Sequence, residues 1–181
     1  AQTYDPRLVT QKGAIMPFVL FPAQREWVDW VFKSWMAKED ILSDKSRDMG
    51  LSWLAVGIAC TLALFWNDFR AGFGSRKEEY VDKKGEPKSL FWKARFFISR
   101  LPPEFRGGWN ERYNAPHMRL QFPDTGSTIS GESGDGIGRG DRVSMYVVDE
   151  SAHLERPQMA EEALSATTDF RSPSTPRTPS A

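Results

Sequence analysis

Apolar residues recur along this chain with two different periods, and the switches between them mark out its elements. Trp27, Trp30, Val31 and Trp35 stand three and four apart, which predicts a helix opened by Pro22. From Leu51 to Trp66 the helical pattern is mostly apolar, as in a buried helix. Ala71 to Gly74 predicts a weak strand. Ser75, with Glu78 three residues on, predicts a capping box for a helix that Gly85 and Pro87 interrupt. Helical spacing resumes through Leu90 to Leu101 and stops at Pro102-Pro103, and a loop is expected from Phe105 to Pro116. His117 to Phe122 then alternates with period two, turns at Pro123-Asp124-Thr125-Gly126 and returns through Ser127 to Ser130, a β-hairpin. A Gly-rich loop, Gly131 to Gly140, leads to an unbroken apolar run, Met145-Tyr146-Val147-Val148, which predicts a strand buried on both faces of a parallel sheet. A helix follows from about Pro157 to Ser165, and Asp40 to Asp44 is a further short strand candidate.

Strands alternating with helices around one apolar strand imply an α/β fold, with a mostly parallel sheet flanked by helices. Residues 1–19 are polar and punctuated by Pro and Gly, so they are expected to form an arm. Residues 20–170 form the domain, and residues 171–181 are a Pro/Ser/Thr-rich tail. A chain of 181 residues suits one such domain. Its 24 basic and 24 acidic side chains cancel, so any contact with nucleic acid has to come from a local patch. The single cysteine, Cys60, lies in the apolar helical run and reads as a small buried hydrophobe in a reducing compartment. No run is long enough to span a bilayer comfortably and no signal-peptide pattern opens the chain, so a cytoplasmic protein without membrane association is expected.

The chemistry gathers at two places. Asp149 and Glu150 end the apolar strand, where open α/β sheets bind ligands, and two adjacent carboxylates there call for a metal or a partner charge. A Mg²⁺-nucleotide site gives each acid a role, with Asp149 in the metal shell and Glu150 on a water. Lys45-Ser46-Arg47-Asp48-Met49-Gly50-Leu51-Ser52 lies between a predicted strand and a predicted helix, the context of a phosphate-binding loop. Gly50 lets the backbone approach a phosphate, helix N-terminal amides face the anion, and Ser52 would join Asp149 on Mg²⁺. The common loop begins with Gly and carries Lys just before the Ser. Here those places hold Lys45 and Leu51, so either Lys45 or Arg47 is the candidate for the missing cation.

With these motifs in order, the chain resembles the ATPase domain of the large terminase subunit of tailed bacteriophages, the motor that packages DNA into proheads. The resemblance runs from about Phe18 to Pro176. Phe21-Pro22-Ala23-Gln24 resembles the family's adenine-recognising Q motif, with Gln24 on the adenine edge. Lys45 to Ser52 resembles its Walker A, some members of the family carrying the lysine at the loop's start. Met145 to Glu150 resembles Walker B with the catalytic glutamate, and Ser174-Thr175-Pro176 resembles the coupling motif that senses the γ-phosphate. The resemblance implies a RecA-like P-loop NTPase fold, with ATP and Mg²⁺ as substrate and cofactor. It implies double-stranded DNA, the portal of the prohead and the small terminase subunit as partners, in a homo-oligomeric ring. Arg139, in Gly138-Arg139-Gly140, sits where such motors place an arginine finger, with Arg142 the competing candidate. The family's nuclease domain has no counterpart in this sequence, so ATP hydrolysis without DNA cleavage is expected.

The remaining candidates read more plainly. Ser75-Arg76-Lys77 is a basic helix entry suited to a phosphate or DNA-backbone contact, or simply to solvent. His117 and His153 lack metal-ligand spacing, so no zinc is assigned; the seven tryptophans read as core and rim packing. Two other functions are open: a helicase-like translocase of superfamily two, and an assembly module that docks a portal or small-subunit partner without turnover. Leu51 before Ser52 favours the latter.

Overall fold

The computed structural model describes residues 1–5, 13–44, 49–140 and 142–167. Six strands and six α-helices are formed among them: β1 (Gln2–Tyr4), β2 (Ile15–Pro17), α1 (Pro22–Ala37), α2 (Leu51–Phe65), β3 (Arg70–Ser75), α3 (Glu78–Val81), α4 (Leu90–Ser99), α5 (Glu111–Asn114), β4 (Arg119–Phe122), β5 (Ser127–Ser133), β6 (Met145–Val148) and α6 (Pro157–Thr167). The main sheet has the order β4-β5-β3-β6. β3 runs parallel to both β5 and β6, and only the β4–β5 hairpin is antiparallel. This is an α/β fold with a mixed, mostly parallel sheet flanked by helices. No helix among the described residues is long and apolar enough to cross a membrane.

Side-chain alternation gives the sheet two unlike faces. Ala71 and Phe73 of β3, Ile129 of β5 and Met145 of β6 are buried in one core with Val56, Ala59, Cys60 and Ala63 of α2 and Phe91, Ala94 and Ile98 of α4. Phe73 and Phe91 meet edge to face at 5.7 Å. α2 is apolar nearly all round because it lies inside this layer, and burial there pushes the Cys60 thiol upward, as befits a packing residue. The opposite face of β3 carries exposed Arg70 at its start and then only Gly72 and Gly74. The Tyr146 ring fills their place so closely that a Cβ at Gly72 would stand 2.4 Å from it. Gly138 packs on that side against Ala163 and Leu164 of α6.

Several elements differ from the sequence expectation for definable reasons. Residues 40–44 form no strand: Ile41 and Leu42 are the only apolar residues between Asp40 and Asp44, and Leu42 is 85% exposed, so pairing would bury little. The Trp27 indole instead donates to Ser43 Oγ at 2.9 Å, tying this stretch to α1. The apolar run of β6 predicts a strand covered on both faces within the sheet; among the described residues it is an edge strand, with Met145 buried and the next three residues half-buried. Ser75 does not cap α3. It is the last residue of β3, buried with its hydroxyl unpartnered, and α3 begins after Lys77 without a side-chain cap.

The N-terminal stretch expected as an arm carries the β1–β2 ribbon, which Tyr4 anchors edge-on to Trp92 at 5.4 Å. The loop from Phe105 to Pro116 includes α5, whose first turn Asn110 caps by accepting from the Arg112 N–H. The hairpin forms in the expected register, Phe122 opposite Ser127, with Gly126 in the left-handed region of its turn. Thr125 and Ser127 then donate to the carbonyls of Ala63 and Trp66, fixing the hairpin to the end of α2.

Candidate functional site

The site is built where α2 begins and β6 ends. Gly50 caps α2 with φ +73°, a conformation that side chains resist, and a Cβ there would stand 3.2 Å from Gln24 Nε2. One residue into α2, the Ser52 hydroxyl donates to Asp149 Oδ2 at 2.8 Å across 97 positions of sequence. A hydroxyl and a carboxylate held together beside a helix N-terminus are hard oxygen donors of the kind Mg²⁺ takes, and the first-turn amides of α2 are the kind an anion takes. Both residues are half-buried and therefore reachable from solvent. Among the described residues, no group of three or more His, Cys, Asp and Glu side chains gathers as a metal cluster. Mg²⁺ bound through one carboxylate, one hydroxyl and substrate phosphates does not need such a cluster.

Gln24 lies in the first turn of α1. Its Oε1 accepts from the Phe21 N–H and its Nε2 donates to the Met49 carbonyl, both at 3.0 Å. Its amide thus bridges the start of α1 to the residue before Gly50, setting the entry to α2. Pro22 at the first helical position lacks the N–H that would go unpaired there. Lys45, Ser46, Arg47 and Asp48 lie outside the described residues, as does Ser174-Thr175-Pro176; of the loop, Met49, Gly50, Leu51 and Ser52 are described.

Asp149 and Glu150 diverge. The Asp149 N–H donates to the Gly74 carbonyl at 2.9 Å, extending the β3–β6 ladder by one residue, while its carboxylate turns to Ser52. Glu150 takes φ +58°, the left-handed region, which costs a residue with a Cβ on the order of 1–3 kcal/mol. Its carboxylate lies 3.5 Å from Arg76 Nε, with both side chains well exposed. The basic triplet at the end of β3 therefore has one member committed to an acid of the site. Strand register brings that pair together, and no local motif announces it.

Arg139 is exposed, and its N–H donates to the Gly136 carbonyl at 3.2 Å. Arg142 is exposed as well. The loop bearing Arg139 is gripped by Glu132 of β5: one carboxylate oxygen accepts from both the Gly138 N–H and the Tyr146 hydroxyl, each at 2.6 Å. Burial and the adjacent Glu132 carboxylate push the Tyr146 phenol well above its ordinary range, so it remains a donor. Glu132 belongs to no motif in the sequence; a lone acid opening a Gly-rich loop is its only signal. His117 binds Glu78 at 2.9 Å and stands 3.5 Å from Asp82, a structural use, and His153 is exposed in a short turn after Glu150.

No protein-family model matches this chain, and no curated protein matches it.

Proposed function

We propose that this chain is a Mg²⁺-dependent ATPase of the P-loop class, working as the motor domain of a phage-type large terminase that drives double-stranded DNA into a prohead. The observation that supports it best is the 2.8 Å bond from Ser52 at the head of α2 to Asp149 at the end of β6. Two stretches far apart in sequence meet there, and a hydroxyl beside a carboxylate at a helix N-terminus supports a Mg²⁺-nucleotide reading. Ser52 and Asp149 would hold Mg²⁺, which when bound neutralises charge on the phosphates. Gly50 and the first amides of α2 receive the phosphates, with Lys45 or Arg47 supplying a cation. Gln24 fixes the loop's exit and is the candidate for the adenine side. Glu150 orients the attacking water. Arg139 of a neighbouring copy completes the charge complement in a ring, with the portal and small subunit as partners. Because such catalysis is mostly positioning and electrostatics, an isolated copy turns over slowly.

The test is binding of a fluorescent ATP analogue with Mg²⁺ to the unaltered chain and to Lys45→Ala, Arg47→Ala, Ser52→Ala and Glu150→Ala. The expected result is binding that weakens in Ser52→Ala and in one of the two cation variants, and persists in Glu150→Ala with turnover lost. No binding by the unaltered chain would reject the ATPase and leave the docking module without turnover. Stimulation by single strands rather than by duplex DNA and portal would favour the helicase-like translocase.

A further inference from the structure

We propose that Glu132 is a positioning residue for Arg139, holding the Gly-rich loop so that the arginine is presented outward to a neighbouring copy, an inference that rests on the ATPase reading above. In β5, Ile129 faces the core with α2 and α4, so alternation turns Glu132 to the opposite side of the sheet, where Tyr146 of β6 also lies. There one Glu132 carboxylate oxygen accepts from the Tyr146 hydroxyl and from the Gly138 N–H, both at 2.6 Å, short bonds of the kind an ionised acceptor makes. The loop that leaves β5 is thus brought back to Glu132 six residues later.

Both neighbours of Arg139 are shaped by that carboxylate. Gly138 bonds to it, and a Cβ at Gly140 would collide with it. On its other side Gly138 is closed in by α6, where a Cβ would stand 2.9 Å from the backbone of Ala163 and Leu164. Ile137, just before it, is 1% exposed. Arg139 is the first residue to leave this anchor. Its side chain is exposed and meets no acid among the described residues, whereas Arg76 and Arg156 each stand beside a carboxylate of their own copy. A Gly-rich loop has many conformations to lose, so an unheld arginine on it would sweep a wide volume. Pinning the backbone on both sides of position 139 confines that sweep before a neighbour arrives, which is how a residue remote from the reacting atoms preserves their geometry.

The experiment compares the full chain with Glu132→Ala, Glu132→Gln and Tyr146→Phe in three readings: trypsin cleavage after Arg139, ATP-analogue affinity, and ATP turnover per copy as protein concentration rises. Glu132→Ala is expected to speed the cleavage about tenfold, the effect of losing a bond to a charged acceptor. It should lower turnover at high concentration about ten- to hundredfold with analogue affinity unchanged. Glu132→Gln, whose carbonyl oxygen can still accept twice, stays within about fivefold of the unaltered chain, and Tyr146→Phe falls between the two. Because the arginine acts on a neighbour, adding Glu150→Gln copies, whose loops are intact, restores turnover in the Glu132→Ala copies. Glu150→Gln copies that also carry Arg139→Ala do not restore it. Cleavage no faster in Glu132→Ala, turnover unchanged there, or a loss that mixing does not mend overturns this inference and leaves ATP binding standing. So does turnover per copy that stays flat with concentration in the unaltered chain. Should Glu132→Ala lose its cooperative urea transition, Tyr146→Phe, which removes one donor and opens no cavity, carries the same readings. No nucleotide binding by the unaltered chain removes the ATPase reading and this inference with it.

Discussion

Arg76 and Asp82, six residues apart in the stretch after β3, each join an arginine–carboxylate pair, and the two pairs differ in almost everything except their chemistry. Arg95 of α4 grips Asp82 through two parallel hydrogen bonds of 2.7 and 2.8 Å, with side chains 8% and 1% exposed. The Met118 N–H adds a third donor to the same carboxylate at 2.7 Å. Arg76 and Glu150 share one 3.5 Å contact in solvent. Burial alone would push the Asp82 carboxyl up, yet Arg95, the Met118 N–H and nearby His117 together hold it below its ordinary range. The difference teaches that the same two charges act as a fixture when desolvated and fully satisfied, and hold each other only weakly when wet and singly bound.

The sharpest way to break the comparison is to remove one buried partner. Asp82→Ala leaves the Arg95 charge buried and alone, so a loss of about 3–5 kcal/mol is expected, read as a lower urea midpoint. Arg95→Lys keeps the charge but forfeits the fork, and a loss of about 1–3 kcal/mol should follow as one carboxylate oxygen goes unsatisfied. Acid separates the pairs in another way. The pKa of Asp82 is lowered on folding, so its stabilisation is fully present above its unfolded pKa of about 3.9 and is lost as pH falls through the lower folded value. The stability gap between the unaltered chain and Asp82→Asn should therefore hold steady above that pH and narrow only below it; a gap that closes nearer neutrality would assign the effect to another group. Arg76→Ala should change stability least, by at most about 1 kcal/mol, because its pair is exposed. A loss as large as that of Asp82→Ala would mean that the two pairs are the same kind of thing.

Much of this was legible in the sequence because it is local. The hydrophobic period of α2, Pro22 at the start of α1, and the alternation and turn of the β4–β5 hairpin each carry their own signal within a dozen residues. Gly50, Ser52 and Asp149 were marked by residue type and by the elements expected around them, and the contact between Ser52 and Asp149 joins the two stretches so marked. What could not be read depends on neighbours. Ser75 had the spacing of a cap, yet the ladder with β5 continues through it and draws it inside. The acids around Ile41 and Leu42 left too little apolar surface to reward a strand. Glu132 carried no motif, and Arg76 was read only as part of a basic helix entry; they matter because strand register sets one against Tyr146 and Gly138 and the other against Glu150. Lys45, Arg47 and the proposed coupling residues stay sequence proposals.

The paired glycines of β3 have a consequence for inheritance. Because the Tyr146 ring occupies the space where side chains at Gly72 and Gly74 would stand, neither strand can drift alone. A lineage that gains even Ala at position 72 must first, or at once, shrink residue 146, and shrinking it removes the hydroxyl that Glu132 shares with the loop of Arg139. Positions 72, 74, 132 and 146 should therefore change together or not at all. The two acids that follow Tyr146 would carry that history with them.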